Sequence, residues 1–231
     1  MSPDLGRQDV VSPGFPRESL FQTWERRLFL SMADFLDPKG EIQKHGSDLP
    51  HWQQGEAMQF VTFRLRDSMP ANKLKTWQEQ HQAWLALNPK PWAPETLRTY
   101  HRCFTSKLEN WLDQGAGSCL LQDPSNRQIL EDALMRFQGE KVVHHAWVIM
   151  PNHVHLLFSP RQPIDKLIQA WKCVSARHIA CGSIWQKNYR DTLIRDATHF
   201  AKAVRYIRRN PSKLLAHSFS LWQGPLAEAV F

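Results

Sequence analysis

The stretch KVVHHAWVIMPNHVHLLFS, residues 141–159, decides the fold. Residues 141–150 read as a strand, Pro151-Asn152 is a turn signal, and residues 153–159 read as a second strand, so the stretch is a hairpin. Side chains alternate along a strand, which sends His153 and His155 to one face and Val154, Leu156 and Phe158 to the other. The apolar face must be pinned to a core, and that fixes the direction of the imidazoles. Two imidazoles at i and i+2 lie close enough to share one metal ion. They could equally be two histidines on a solvated face, and the spacing alone leaves both readings open. His144 and His145 straddle the two faces of the first strand, and one of them reads as packing or surface.

Working outward, residues 59–66 (QFVTFRLR) alternate with Val61, Phe63 and Leu65 on one side and Thr62, Arg64 and Arg66 on the other, a half-buried strand. Three helices follow. The first carries Leu74, Trp77, Trp84 and Leu85; the second carries Leu97, Tyr100, Phe104, Leu108, Trp111 and Leu112 and stops at Gly115. The third has Asp123 as N-cap and Pro124 at its first position, and ends at Gly139. Their aromatic stripes read as core. After the hairpin come a helix over 164–180, a short strand over 192–196, and a last helix over about 198–210 that Pro211 closes. This order predicts an α+β fold: a ferredoxin-like β-α-β-β-α-β antiparallel sheet with an extra C-terminal helix and a helical insertion after the first strand, about 70–138.

The net charge of +7 is unevenly placed. Residues 161–213 hold twelve Lys/Arg against three acids, a balance of +9, which leaves −2 for the rest of the chain. An excess confined to so short a stretch favours a polyanion partner over a merely solvated face. The longest apolar runs are a few residues, against the roughly 18 needed to span a bilayer. With no secretory pattern at the N-terminus, the expectation is a cytoplasmic protein with no membrane partner. Cys103, Cys119, Cys173 and Cys181 lack Cys-x-x-Cys spacing and read as reduced thiols.

In the last helix, Phe200, Val204 and Ile207 occupy the buried stripe that their i, i+4, i+7 spacing demands. Tyr206 and Asn210 then stack one turn apart at its border, with Lys202 one turn earlier, while Arg205, Arg208 and Arg209 face more outward. A border tyrosine is commonly an amphipathic packing residue. Paired with a metal ion it could instead be a nucleophile. A phenol with a pKa near 10 attacks poorly at neutral pH, and a divalent cation both polarises a phosphate and eases phenolate formation. Asn210 could add a third ligand oxygen to an ion held by His153 and His155. Attack by Tyr206 on a phosphodiester leaves a covalent phosphotyrosine and a free hydroxyl end, with the bond energy retained. Lys202, Arg205, Arg208, Arg209 and Arg64 are the candidate contacts to the DNA backbone. Trp185 stacks on an unpaired base or belongs to the core, and Tyr189, in a loop or strand start, is the alternative nucleophile.

As an ordered set, MPNHVHLLF at 150–158, WQ at 185–186, a short strand ending IRD at 194–196 and RYIRRNP at 205–211 resemble the REP-associated tyrosine transposases. These belong to the single-tyrosine group of the His-hydrophobic-His endonucleases, and FVTFRLRDSMP at 60–70 resembles their first strand. The resemblance runs from about 51 to 215. It implies a metal pair at His153 and His155, a nucleophile at Tyr206 and a completing polar ligand at Asn210. The implied substrate is single-stranded DNA with a hairpin or palindromic repeat, cut through a 5′-phosphotyrosine intermediate. The chain then divides into a partly disordered arm over 1–50, with an apolar helix candidate at 24–35, a catalytic domain over 51–215 and a tail over 216–231. The arm and the long helical insertion depart from the compact relatives, and neither has an evident task.

Imidazoles suit Zn, Ni or Fe and oxygen ligands suit Mg or Mn; the resemblance favours Mg2+ or Mn2+. A homodimer is compatible with the sequence. Two other classes stand beside the nuclease reading. One is a non-catalytic single-stranded DNA- or RNA-binding protein, whose signature of paired aromatics on an open sheet face is absent from HVHLLFS. The other is a regulatory protein that uses the histidines as a structural metal site.

Overall fold

Alternation in 59–66 and 141–159 puts every second side chain against a core, and the strands it forms lie side by side. The computed structural model describes residues 34–45, 51–179 and 182–231. Its strands are β1 (Gln43–His45), β2 (His51–Gln53), β3 (Gln59–Arg64), β4 (Val142–Ile149), β5 (His153–Pro160), β6 (Arg190–Leu193) and β7 (Ser220–Gln223). Its helices are α1 (Ala71–Leu87), α2 (Pro94–Tyr100), α3 (Ser106–Asp113), α4 (Pro124–Met135), α5 (Ile164–Ile179), α6 (Ala197–Arg209) and α7 (Pro225–Glu228). The main sheet runs β6-β3-β5-β4-β7 with every neighbouring pair antiparallel. Its first four strands have the order expected of the β-α-β-β-α-β arrangement.

One face of this sheet buries Phe63, Val154, Leu156 and Phe158 against Leu130 and Leu134 of α4 and Leu167, Ile168 and Trp171 of α5. Helix α4 is therefore the first helix of the basic fold. It starts where the sequence says it should, with the Asp123 carboxylate accepting from Ser125 N at 2.7 Å. The true addition after β3 is the segment α1 to α3, shorter than the 70–138 expected. Its second helix is not continuous: a π-helical turn, His101–Thr105, separates α2 from α3. The other sheet face is covered by α6, which buries Phe200, Ala203, Val204 and Ile207. Asp196 caps α6 by accepting from His199 N at 2.7 Å.

Both histidines of the first hairpin strand are packing residues. As neighbours in a strand they point to opposite faces, and a bulge between His144 and Ala146 leaves His145 without a register partner on β5. His144 packs on Trp171, its Nε2 3.0 Å from the Leu134 carbonyl, while His145 reaches Ser159 Oγ at 2.9 Å and the ring of Phe200.

The ends of the expected catalytic domain need correction. Residues 216–231 are not a detached tail, because β7 adds a fifth strand beside β4 and Trp222 stacks on Trp147. The buried Arg127 ties this segment to α4, donating to the His217 carbonyl at 2.7 Å and to Ser220 Oγ at 3.1 Å. At the other end, Leu36 N donates to the Ile194 carbonyl at 2.9 Å and Met58 N to the Asp34 carbonyl at 2.8 Å, so ordered structure begins before residue 51. The helix expected over 24–35 lies outside the described residues but for its last two. Among the described residues no helix is long and apolar enough to cross a membrane.

His144 makes the fold sensitive to acid. Burial lowers its pKa to about 4, against an ordinary value of 6.5. The unfolded chain therefore binds the proton first: the stability this site contributes is complete above pH 6.5 and is lost as pH falls toward 4. In urea titrations at pH 7.5 and 4.5, replacing His144 by Gln should shrink the pH-dependent loss of stability by roughly 2–3 kcal/mol. An unchanged pH dependence would place the acid sensitivity elsewhere.

Candidate active site

The antiparallel register of β3 and β5 sets Thr62 opposite His155 and Arg64 opposite His153. The polar half of QFVTFRLR and the histidines of HVH therefore share one face, beneath α6. His153 and His155 are each 1% exposed, and their Nε2 atoms stand 3.1 Å apart. Burial holds the His155 pKa well below its usual value, helped by His153 and Arg190, and lowers that of His153 to about 3, helped by Arg64. Both rings are thus neutral at pH 7, as a metal ligand requires.

The tautomer of His153 follows from its neighbour. The Asn152 amide nitrogen donates to the carbonyls of Leu112 at 3.2 Å and Ala116 at 3.0 Å. Its oxygen must then face His153 Nδ1, 2.7 Å away, and an amide oxygen only accepts. His153 carries its proton on Nδ1 and presents a bare Nε2. His155 Nδ1 sits 2.7 Å from the Thr62 hydroxyl, which serves either tautomer by rotating.

Helix α6 brings Tyr206 edge-on to His155, ring centroids 5.1 Å apart, and to Phe60 at 5.7 Å. Burial raises the phenol's pKa, as do Glu109 and Asp113; a hydrogen bond from Asn210 and the charge of Arg190 oppose the rise. Because Asn210 Oδ1 is buried with no hydrogen-bond partner, the amide nitrogen is the donor to Tyr206 and the oxygen is left free. Tyr206 of α6 thus stands beside His155 of the histidine pair, and Asn210, the residue that ends α6, stands beside Tyr206.

The other expected contacts divide. Lys202 and Arg209 are exposed on α6. Arg64 is half-buried beside His153 and donates to Ser68 Oγ at 2.8 Å. Arg208 is not a free DNA contact: its guanidinium donates to Gln223 Oε1 at 2.5 Å and to the carbonyls of Ala227, at 2.6 Å, and Val230, clamping the C-terminal segment. Arg205 similarly reaches the Phe231 carbonyl at 2.9 Å. Trp185 is a core residue, 5% exposed, edge-on to Phe63 with its Nε1 bonded to Ser175 Oγ at 2.9 Å. It lies on the sheet face away from the histidines and cannot stack on a base. Tyr189 is buried on that same side, stacked on His51 at 3.6 Å, which removes it as a nucleophile for this site.

Two carboxylates of α3 were not foreseen. Asp113 Oδ1 is 3.9 Å from His153 Nε2, and Glu109 lies close enough to act on Tyr206. Burial raises the pKa of both. No local pattern marks them, since they reach the site only through the docking of the α1–α3 segment on the sheet. Among the described residues no three His, Cys, Asp or Glu side chains form a ready ligand cluster, so a third such donor would have to move in toward the histidines.

The chain matches no family model and no curated protein. Among solved structures it is similar to a REP-associated tyrosine transposase bound to a REP hairpin, at 18% identity over 73% of this chain and 74% of that one, TM-score 0.42. It is also similar to a candidate transposase from Deinococcus radiodurans R1, at 16% identity over 73% of this chain and 98% of that one, TM-score 0.32. Likenesses this loose assign no residue a role, and the functional reading rests on the side chains described above.

The reassignment of Trp185 has a direct check. Trp185→Ala should lower the unfolding free energy by about 3–5 kcal/mol, as loss of a large core aromatic does. A urea midpoint unmoved by the substitution would return the residue to the surface.

Proposed function

We propose that this protein is a metal-dependent single-stranded DNA endonuclease and strand transferase. In this reading it acts on hairpin or palindromic DNA through a 5′-phosphotyrosine at Tyr206. The observation that carries the proposal is the meeting of two neutral, buried imidazoles with a tyrosine on the adjoining helix. Their Nε2 separation of 3.1 Å is close to that of two nitrogens about 2.1 Å from one ion and roughly at right angles. The unpartnered Asn210 Oδ1 supplies an oxygen of the kind Mg2+ or Mn2+ prefers. His153, His155 and Asn210 would hold the ion, which when bound polarises the scissile phosphate and offsets its developing charge.

The remaining work belongs to the chain. Asn152 and Thr62 orient the imidazoles, and α6 aims Tyr206 beside them. Exposed Lys202 and Arg209 on α6 attract the backbone of the strand. Tyr206 Oη bonds to phosphorus while the bond from phosphorus to the 3′ oxygen breaks. The phenol proton ends, by way of solvent, on that leaving oxygen, giving a free 3′ hydroxyl. The phosphotyrosine keeps the bond energy, so the reverse step onto another 3′ hydroxyl joins strands.

Burial and two nearby acids hold the Tyr206 proton tightly. A tyrosine so placed needs a cation to react, which agrees with metal dependence. A non-catalytic RNA-binding platform fits less well, because both faces of the sheet are covered by helices.

With hairpin-bearing oligonucleotides and Mn2+ or Mg2+, the wild-type chain should form a covalent adduct that survives a denaturing gel. Tyr206→Phe should form none, Tyr189→Phe should form it normally, and His153→Ala should reduce it by at least about a hundredfold. An adduct that persists in Tyr206→Phe, or in the presence of chelator, would falsify the mechanism.

A further inference from the structure

The segment from α1 to α3 had no evident task in the sequence, and its end is fastened to the candidate metal pair. Asn152 is the fastening: the same side chain that accepts from His153 Nδ1 donates to Leu112 and Ala116, on either side of the C-terminus of α3. A second tie lies just beyond. Asp67 accepts from Ser118 N at 2.7 Å, and Gly117 packs so closely there that an added Cβ would stand 2.5 Å from the Asp67 carbonyl oxygen. With a φ of +92°, position 117 suits glycine for a second reason.

Between these ties sits Asp113, the last residue of α3. An acid at a helix C-terminus opposes the helix dipole, so local helix stability does not account for it. Its Oδ1 is 3.9 Å from His153 Nε2. Two donors on one ion, each about 2.1 Å from it, are at most about 4.2 Å apart. Asp113 is within that span of His153, on the side that the bare Nε2 faces, and a small turn of its partly exposed side chain would bring it round an ion shared with His155. Helix α6 supplies Tyr206 to the same site, with its C-cap Asn210 alongside.

We infer that Asp113 is a further ligand of the divalent metal, contributed by the α1–α3 segment. This rests on the reading of His153 and His155 as a metal pair. The segment thereby acquires a role: it delivers an anionic oxygen to a site otherwise built of neutral donors. A carboxylate raises the affinity for hard cations and shifts preference toward Mn2+ and Mg2+ over softer ions. In the ion's presence Asp113 turns from a charge that hinders the phenolate of Tyr206 into one neutralised by the metal.

The test is metal binding, measured apart from DNA cleavage. In calorimetric titration of the full chain with Mn2+, Asp113→Asn should weaken binding by about tenfold or more. Glu109→Gln should stay close to wild type, and His153→Ala should lose binding. In a background with Cys103, Cys119, Cys173 and Cys181 replaced by Ser, Asp113→Cys supplies a gain-of-signal control: with Cd2+ it should show a thiolate-to-cadmium absorption band that the cysteine-free chain lacks. If Asp113→Asn binds Mn2+ as tightly as wild type while His153→Ala does not, the inference falls and the metal pair stands. If the wild-type chain binds neither Mn2+ nor Mg2+, the metal pair falls and Asp113 with it. A folded Asp113→Cys variant of the cysteine-free chain without the Cd2+ band would also overturn the inference.

Discussion

The amide of Asn152 is the contact on which the site depends. It lies in the tight turn of the β4–β5 hairpin, where its backbone carbonyl accepts from Leu65 N at 2.8 Å and so links the turn to the strand end beyond β3. Its side chain is satisfied on three sides, by two carbonyls and one imidazole. A buried amide is tolerated only when so paired, and removing one partner leaves the others unpaired at a cost of about 1–3 kcal/mol each. The same pairing that makes Asn152 stable sets the tautomer of His153. Fold and site are thus held by one group.

Around this anchor the site has an internal electrostatic tension. Two imidazoles are kept neutral by burial, a phenol is kept protonated, and two carboxylates stand close by. Arg64 and Arg190 offset part of the negative charge. A divalent cation bound between the two Nε2 atoms would relieve the remainder. Buried arrangements with a cost of this kind occur where function demands them. The basic residues of 161–213 do not all serve DNA. Arg208 and Arg205 are spent on backbone carbonyls of the C-terminal segment, which leaves exposed Lys202 and Arg209 as the nearer electrostatic lure.

Much of this was legible from residue order, for a physical reason. Strand alternation and helical stripes are local, so the face of His153 and His155, the buried stripe of α6 and the border position of Tyr206 could all be read directly. The order of β6, β3, β5 and β4 followed from the order of the elements. What escaped the reading is non-local. Arg208 looks like a surface cation until the carbonyls it clamps are in place. Trp185 sits in a loop-like stretch whose partner, Ser175, lies on α5. The four residues of β7 are too few to show a period, and their pairing depends on an edge of β4 that only the folded sheet offers. Asp113 is one acid on the polar side of an amphipathic helix until Asn152 draws that helix onto the hairpin.

The central claim is that one metal ion sits between His153 and His155 next to Tyr206. The most direct measurement is a crystal structure of the chain soaked in Mn2+, with data collected to reveal the anomalous signal of manganese. The account predicts a single strong peak within about 2.3 Å of both Nε2 atoms, with an oxygen of Asn210 in its shell. A manganese peak elsewhere, or no peak beside the two Nε2 atoms under saturating Mn2+, would contradict it.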